Sequence, residues 1–257
     1  MKSASTPQPA LSNLYSFHRG FTAFLQDLRR HPQIEVWELI DDGPLALDDA
    51  RIRVLRRTQR QFNVHAPFTE IDLSSADPSI RNSSIKRIQN SIAHAAALDA
   101  GLVVVHPVLR YETGSAGIHR ELFQEAILEI RDFAVEHGVA FTIENLLPRT
   151  SPPHSTPEGI AALLHDLGSN AWLTFDTGHA HVAGNLQTFL THLADRILNM
   201  HISDNDGSWD QHRAVGRGNI PWTIVRKAIA HMPNLRFLTA EVEEQPFLTF
   251  YEVASWR

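Results

Sequence analysis

Short apolar runs alternate with longer segments of helical spacing along almost the whole chain. Residues 21–29 place Phe21, Phe24, Leu25 and Leu28 three and four positions apart, the spacing of one helix face. Residues 34–40 then predict a strand that stops at the turn formers Gly43 and Pro44. The same alternation gives helix 47–61, strand 61–68, helix 78–100 and, after Gly101, the Val-rich run of 102–108, which has the composition of a strand buried on both faces. It continues with helix 117–137, strand 139–144, a Pro-rich loop at 148–157, helix 157–167 and strand 171–175. A loop then carries Asp176-Thr-Gly-His179, followed by helix 186–195, strand 197–202, a long loop at 203–221, helix 222–231 and strand 236–241.

Strand–helix units in series imply a parallel sheet. Up to eight units in 257 residues predict an α/β protein: a single (β/α)8 TIM barrel, its eighth helix short or missing because sixteen residues follow Glu241. The first strand is expected at 11–17. Residues 1–10, rich in Ser, Thr and Pro, read as a disordered lead-in, and 11–257 as the one barrel domain. No Gly-rich phosphate loop follows the first strand, which weighs against a dinucleotide-binding sheet.

Composition narrows the function classes. No apolar run approaches the length of a membrane span, and the start lacks the apolar centre of a signal peptide, so the cytoplasm is the default expectation. The chain has no cysteine, which removes disulfides and thiolate chemistry. A net charge of −6 argues against a surface that tracks a phosphate backbone, and nucleic acid is not an expected partner. A homodimer is left open.

Histidine is abundant, at 15 residues, and its placement carries the chemistry. His65, His106, Glu144, Asp176, His201 and Glu241 each fall at a strand end, separated by 41, 38, 32, 25 and 40 residues, about one βα unit each time. In such a barrel the C-terminal strand ends converge on one mouth, where crowded ligand-type side chains call for cations. His179, in Asp-x-x-His, and Asp210 with His212, in Asp-x-His, add rim-loop donors. Imidazoles and carboxylates without thiolates suit a catalytic divalent ion such as Zn, Mn, Mg, Fe or Co, one to three of them, rather than a structural zinc finger. Glu38 reads either as a rim residue or as a solvated charge. The other ten histidines (18, 31, 94, 119, 137, 154, 165, 181, 192, 231) read mostly as surface positions, with His181 the one kept in view. Trp209 is either a sugar-stacking or a loop-anchoring side chain, and Arg110, Arg149, Arg213 and Arg217 sit in rim loops where a phosphate could meet them.

The motifs HAPF (65–68), VVVHP (103–107), TIENL (142–146), FDTGHAHVAG (175–184), HISDNDGSWDQHRAVGRG (201–218) and AEVEE (240–244) together resemble the xylose-isomerase-like TIM-barrel superfamily over residues 34–244. That superfamily holds sugar isomerases and epimerases beside endonuclease-IV-type AP endonucleases. In the first group the resemblance implies one metal on Glu144, Asp176, His201 and Glu241. In the second it implies three zinc ions, adding His65, His106, His179, Asp210 and His212. The segment after His65 looks like the sugar group, while Val108 stands where a glycine is common after His-Pro, and His201 is not followed by the arginine of ketose 3-epimerases. The expectation is therefore a divalent-metal-dependent isomerase or epimerase of a small-molecule sugar or sugar phosphate. It would act through an enediolate, with Glu144 and Glu241 as catalytic bases. The alternative is an endonuclease-IV-like di- or trizinc phosphodiesterase.

Overall fold

The computed structural model describes residues 6–110 and 116–256, and in it eight parallel strands close into a barrel in sequence order. The strands are β1 (Gln8–Ser12), β2 (Val36–Ile40), β3 (Gln61–His65), β4 (Val103–Val105), β5 (Phe141–Glu144), β6 (Ala171–Asp176), β7 (Ile197–Ile202) and β8 (Phe237–Ala240). The helices between them are α1 (Gly20–Arg30), α2 (Asp49–Arg56), α3 (Pro78–Ala97), α4 (Ala116–Glu136), α5 (Pro157–Leu167), α6 (Thr177–Val182), α7 (Leu186–His192) and α8 (Trp222–Ile229). A short α9 (Pro246–Ala254) supplies the eighth outer helix.

β1 starts earlier than the apolar pattern suggests. Gln8–Ala10, expected in the lead-in, pair with Phe237–Thr239 of β8, and the chain leaves the sheet at Ser12 because Asn13–Ser16 turn as a 3-10 helix. The polar composition of 1–10 hid a strand whose hydrogen bonds come from both neighbours. The first five residues of the expected lead-in lie outside the described residues.

Local chemistry sets the element ends. Asp48, Asp77 and Thr156 each cap a helix N-terminus with a side-chain oxygen, and α3 and α5 begin on proline, whose missing N–H costs nothing there. Outward-facing strand residues such as Trp37, Leu39, Val64, Ile143 and Phe175 pack under the helices in the main core. Inside, three layers stack along the barrel axis. Ala10, Val36, Leu102, Val104, Leu198 and Phe237 form an apolar cluster towards the N-terminal strand ends. Above it lies a buried polar layer, Glu38, Thr142, Thr174, Asn199 and Thr239, in which Thr142 and Thr174 share a hydrogen bond of 2.7 Å and Thr239 donates to Asn199 Oδ1 at 2.8 Å. The C-terminal strand ends form the third layer. No described helix is long and apolar enough to cross a membrane.

Candidate metal centre

Parallel strands place six expected ligands at one end. His65, Glu144 and Asp176 are the last residues of β3, β5 and β6; His106 and Glu241 directly follow β4 and β8; His201 lies near the end of β7. One donor atom from each of Glu144, Asp176, His201 and Glu241 lies within 4.8 Å of the other three, and all four side chains are buried. Glu144 also belongs to a second group of the same tightness with His65 and His106. Its Oε2 faces His65 Nε2 at 3.3 Å and His106 Nε2 at 3.2 Å, while Oε1 lies 3.4 Å from His201 Nδ1. A third group gathers on Asp210, whose Oδ2 meets His179 Nε2 at 3.2 Å and His212 Nε2 at 2.9 Å. All nine expected residues thus come together, in three groups joined by carboxylates.

Backbone carbonyls aim three of the imidazoles. His65 Nδ1 is 2.8 Å from the carbonyl of Ala66, His179 Nδ1 is 2.8 Å from that of Asn145, and His212 Nδ1 is 3.0 Å from that of Glu241. A carbonyl only accepts, so Nδ1 carries the proton and Nε2 is left for a ligand. Asp176 Oδ1 accepts the N–H of His179 at 2.6 Å, capping α6, and so turns His179 towards the same mouth. Asn145 clips β5 to β6 by exchanging hydrogen bonds with the backbone of Asp176 at 2.8 and 3.0 Å. Above these groups opens a cavity of about 400 Å³, walled by Phe17, Phe68, Leu146 and Leu147, with Arg110 on its lining. Thr150 from the Pro-rich loop and His212 from the long loop line it together.

Burial disfavours every charge here, and the neighbours decide each outcome. Burial lifts the Asp176 carboxyl to about 7, helped by the nearby charge of Glu144 and opposed by His179. Burial would lower His212, but Asp210 lifts it to about 10. His201 is likewise held well above the ordinary imidazole range against burial, by Glu241, Glu38 and Glu144. Glu144 is held well below the carboxylate range despite burial, by His201 and His106. Burial keeps His106 below its ordinary value. The cluster therefore neutralises itself with imidazole protons, which a divalent cation would displace.

The donors fit such a cation. His201 Nδ1, Asp176 Oδ2 and Asp210 Oδ1 are buried without a hydrogen-bond partner among the described residues, an arrangement that a cation satisfies and water-excluded protein does not. Two readings of the sequence need correction. Glu38 is neither at the rim nor solvated: it is fully buried beneath the ligands, with Oε1 3.0 Å from His201 Nε2. His154, grouped with the surface histidines, is buried against the carbonyl of Pro107. Trp209 is exposed, beside Leu147 and Arg149.

Comparison with known proteins places the chain. The family described as a xylose isomerase-like TIM barrel matches residues 20–256. An uncharacterized protein of Methanocaldococcus jannaschii is 29% identical over 220 residues, covering 82% of this chain and 75% of its own. A probable endonuclease 4 of Lysinibacillus sphaericus is 24% identical over 221 residues, covering 79% and 72%. The crystal structure of a D-tagatose 3-epimerase-like protein superposes with a TM-score of 0.86 at 25% identity, covering 96% of this chain and 94% of that one.

Proposed function

We propose that this chain, which belongs to the xylose isomerase-like TIM barrel family, is a divalent-metal-dependent isomerase or epimerase of a sugar or sugar phosphate. The observation that carries this reading is the convergence of Glu144, Asp176, His201 and Glu241 under a cavity of small-molecule size. The likeness to a D-tagatose 3-epimerase-like protein supports it.

These four residues would hold the ion, which when bound supplies Lewis-acid polarisation of a sugar carbonyl. The chain's own part is proton transfer and exclusion of water. Glu241 and Glu144 both present carboxylate oxygens to the ligand layer, and both are held below the ordinary carboxylate range by His201 against burial. They are therefore ionised and ready to accept the proton on the carbon beside the carbonyl. Loss of that proton gives an enediolate, and its return to the neighbouring carbon or the opposite face completes isomerisation or epimerisation. Leu146, Leu147, Phe17 and Phe68 give the cavity an apolar wall, which strengthens these charge interactions.

Solvent exchange tests the reaction. In deuterated water, metal-loaded protein should wash deuterium into the carbon beside the carbonyl of a suitable aldose or ketose, read by mass. Glu241→Gln in excess metal should keep its ion yet lose about 10²–10⁴-fold in exchange, the usual worth of a general base.

A second reading is favoured by a separate observation: Glu144 belongs to two donor groups at once, and Asp210 collects two more imidazoles. That arrangement suits two or three ions and attack on a phosphodiester. Metal-dependent cleavage of abasic DNA or a simple phosphodiester, with no exchange into any sugar of a broad panel, would replace the first reading with this one.

A further inference from the structure

Of the four imidazoles with resolved orienting contacts, three are aimed by a neutral backbone carbonyl and present Nε2 to the centre. His201 is the exception. Its Nδ1 faces inward, 3.1 Å from Glu241 Oε2, 3.4 Å from Glu144 Oε1 and 3.9 Å from Asp176 Oδ2. Its Nε2 points down the barrel, where the atom waiting at 3.0 Å is Glu38 Oε1.

Glu38 is a charged side chain in the middle of β2, between Trp37 and Leu39, and its relative exposure is 0%. An uncompensated carboxylate there would be strongly disfavoured. The polar layer disposes of one oxygen: Oε2 accepts from Asn199 Nδ2 at 3.3 Å, and Asn199 is held in that orientation because its Oδ1 accepts from Thr239. Oε1 and His201 Nε2 are both buried with no other partner among the described residues. The separation is that of a hydrogen bond although the ring is turned off the line. A histidine whose outer nitrogen donates to a carboxylate is fixed in one tautomer and made a stronger metal donor.

We propose that Glu38 is the positioning residue of the centre: its carboxylate accepts the Nε2–H of His201, leaves the Nδ1 lone pair facing the three carboxylates, and so strengthens that nitrogen as a donor to a divalent cation. This rests on the reading that Glu144, Asp176, His201 and Glu241 hold an ion. His65, His179 and His212 need no such partner, because their carbonyl contacts already set their tautomers. Glu38 touches no reacting atom and acts only through His201.

The test uses the full chain, stripped of metal, labelled with ¹⁵N-histidine and titrated with ¹¹³Cd²⁺. In the wild type, cadmium should couple to Nδ1 of His201, with the proton on Nε2. Glu38→Gln keeps the shape and removes the charge, and should weaken cadmium binding at this site by about 10–100-fold. Thr142→Val, in the same buried layer without contact to His201, should leave that affinity unchanged. Equal affinity in Glu38→Gln and wild type, or coupling through Nε2, overturns the proposal. Should Glu38→Gln fail to fold, the wild-type coupling alone decides. Absence of any cadmium coupling to His201 in the wild type removes the metal reading itself, and the proposal with it.

Discussion

His154 lies against Phe123, with ring centroids 5.1 Å apart, and its Nδ1 meets the carbonyl of Pro107. Burial holds it down to about 4, so it stays neutral in the folded chain. The unfolded chain takes up a proton below about 6.5 and the folded chain does not until about 4. The contribution is therefore complete above pH 6.5 and is lost as pH falls to 4, on the order of 3 kcal/mol. Urea unfolding at pH 7 and pH 4.5 should show a larger drop for wild type than for His154→Asn, whose amide N–H replaces the Nδ1 donor. Nothing in Pro-Pro-His-Ser distinguishes this histidine from a solvated one, because its burial comes from a distant strand end. The convergence of the strand-end candidates was legible for the opposite reason: each interrupts an apolar run at the point where the run stops. Glu38 interrupts its run in the middle, and β2 is buried on both faces, so no alternation marks which way it points.

The long loop after β7 holds its shape around one residue, Asp204. Its Oδ1 accepts from the N–H groups of Asn205 and Ile220 at 3.0 and 3.2 Å, and its Oδ2 from Gly216 at 2.8 Å and Trp222 Nε1 at 2.9 Å. Backbone hydrogen bonds of 2.8 and 3.0 Å tie Asp204 to Arg213, beside His212. Gly218 must be glycine, since a Cβ there would sit 2.2 Å from the carbonyl oxygen of Asn205. Asp204→Ala should cost about 3 kcal/mol in denaturant unfolding and, in metal titration, weaken binding at Asp210 and His212 before binding at His201. In the sequence nothing sets Asp204 apart from the other acidic residues of the 201–218 motif; the fold shows its oxygens taken up by three backbone N–H groups and the Trp222 indole. α6 escaped notice for a related reason: Thr-Gly-His-Ala-His reads as a loop, yet the Asp176 cap turns it into a helix. Gly178 is needed there because a Cβ would come 2.7 Å from Ser203 Oγ.

Across the molecule, a cation bound in the layer of candidate ligands would couple folding to metal. A cation at 1,000 times its dissociation constant stabilises the folded chain by about 4 kcal/mol, roughly 10 °C at this size. Adding Zn²⁺ or Mn²⁺ to stripped protein should raise the melting temperature by that order, and a chelator should reverse it. The gain should grow with pH. His212 is raised to about 10, so its contribution to the metal-free fold is complete below about 6.5 and is lost as pH climbs through 10. The ion must also displace the protons of His201 and His179, both held well above the ordinary range, and it competes better as protons become scarce. Both effects widen the gap between loaded and stripped protein from pH 6 to pH 8. A gap that narrows would contradict the assignment. The barrel itself was legible from the βα rhythm, since eight such units in one chain leave a parallel closed sheet as the natural arrangement.

The pairing of β1 with β8 is the most distant in the chain, and it also sets an order in time. Glu241 follows β8, so an emerging polypeptide has made five of its six strand-end donors before the last exists. Until β8 slots between β7 and β1, those donors face an incomplete ring, with Glu144 and Asp176 lacking the oxygen that completes their set. An ion held by this set would therefore load late in folding, entering a closed barrel from the mouth, and would not serve as the seed around which the strands gather.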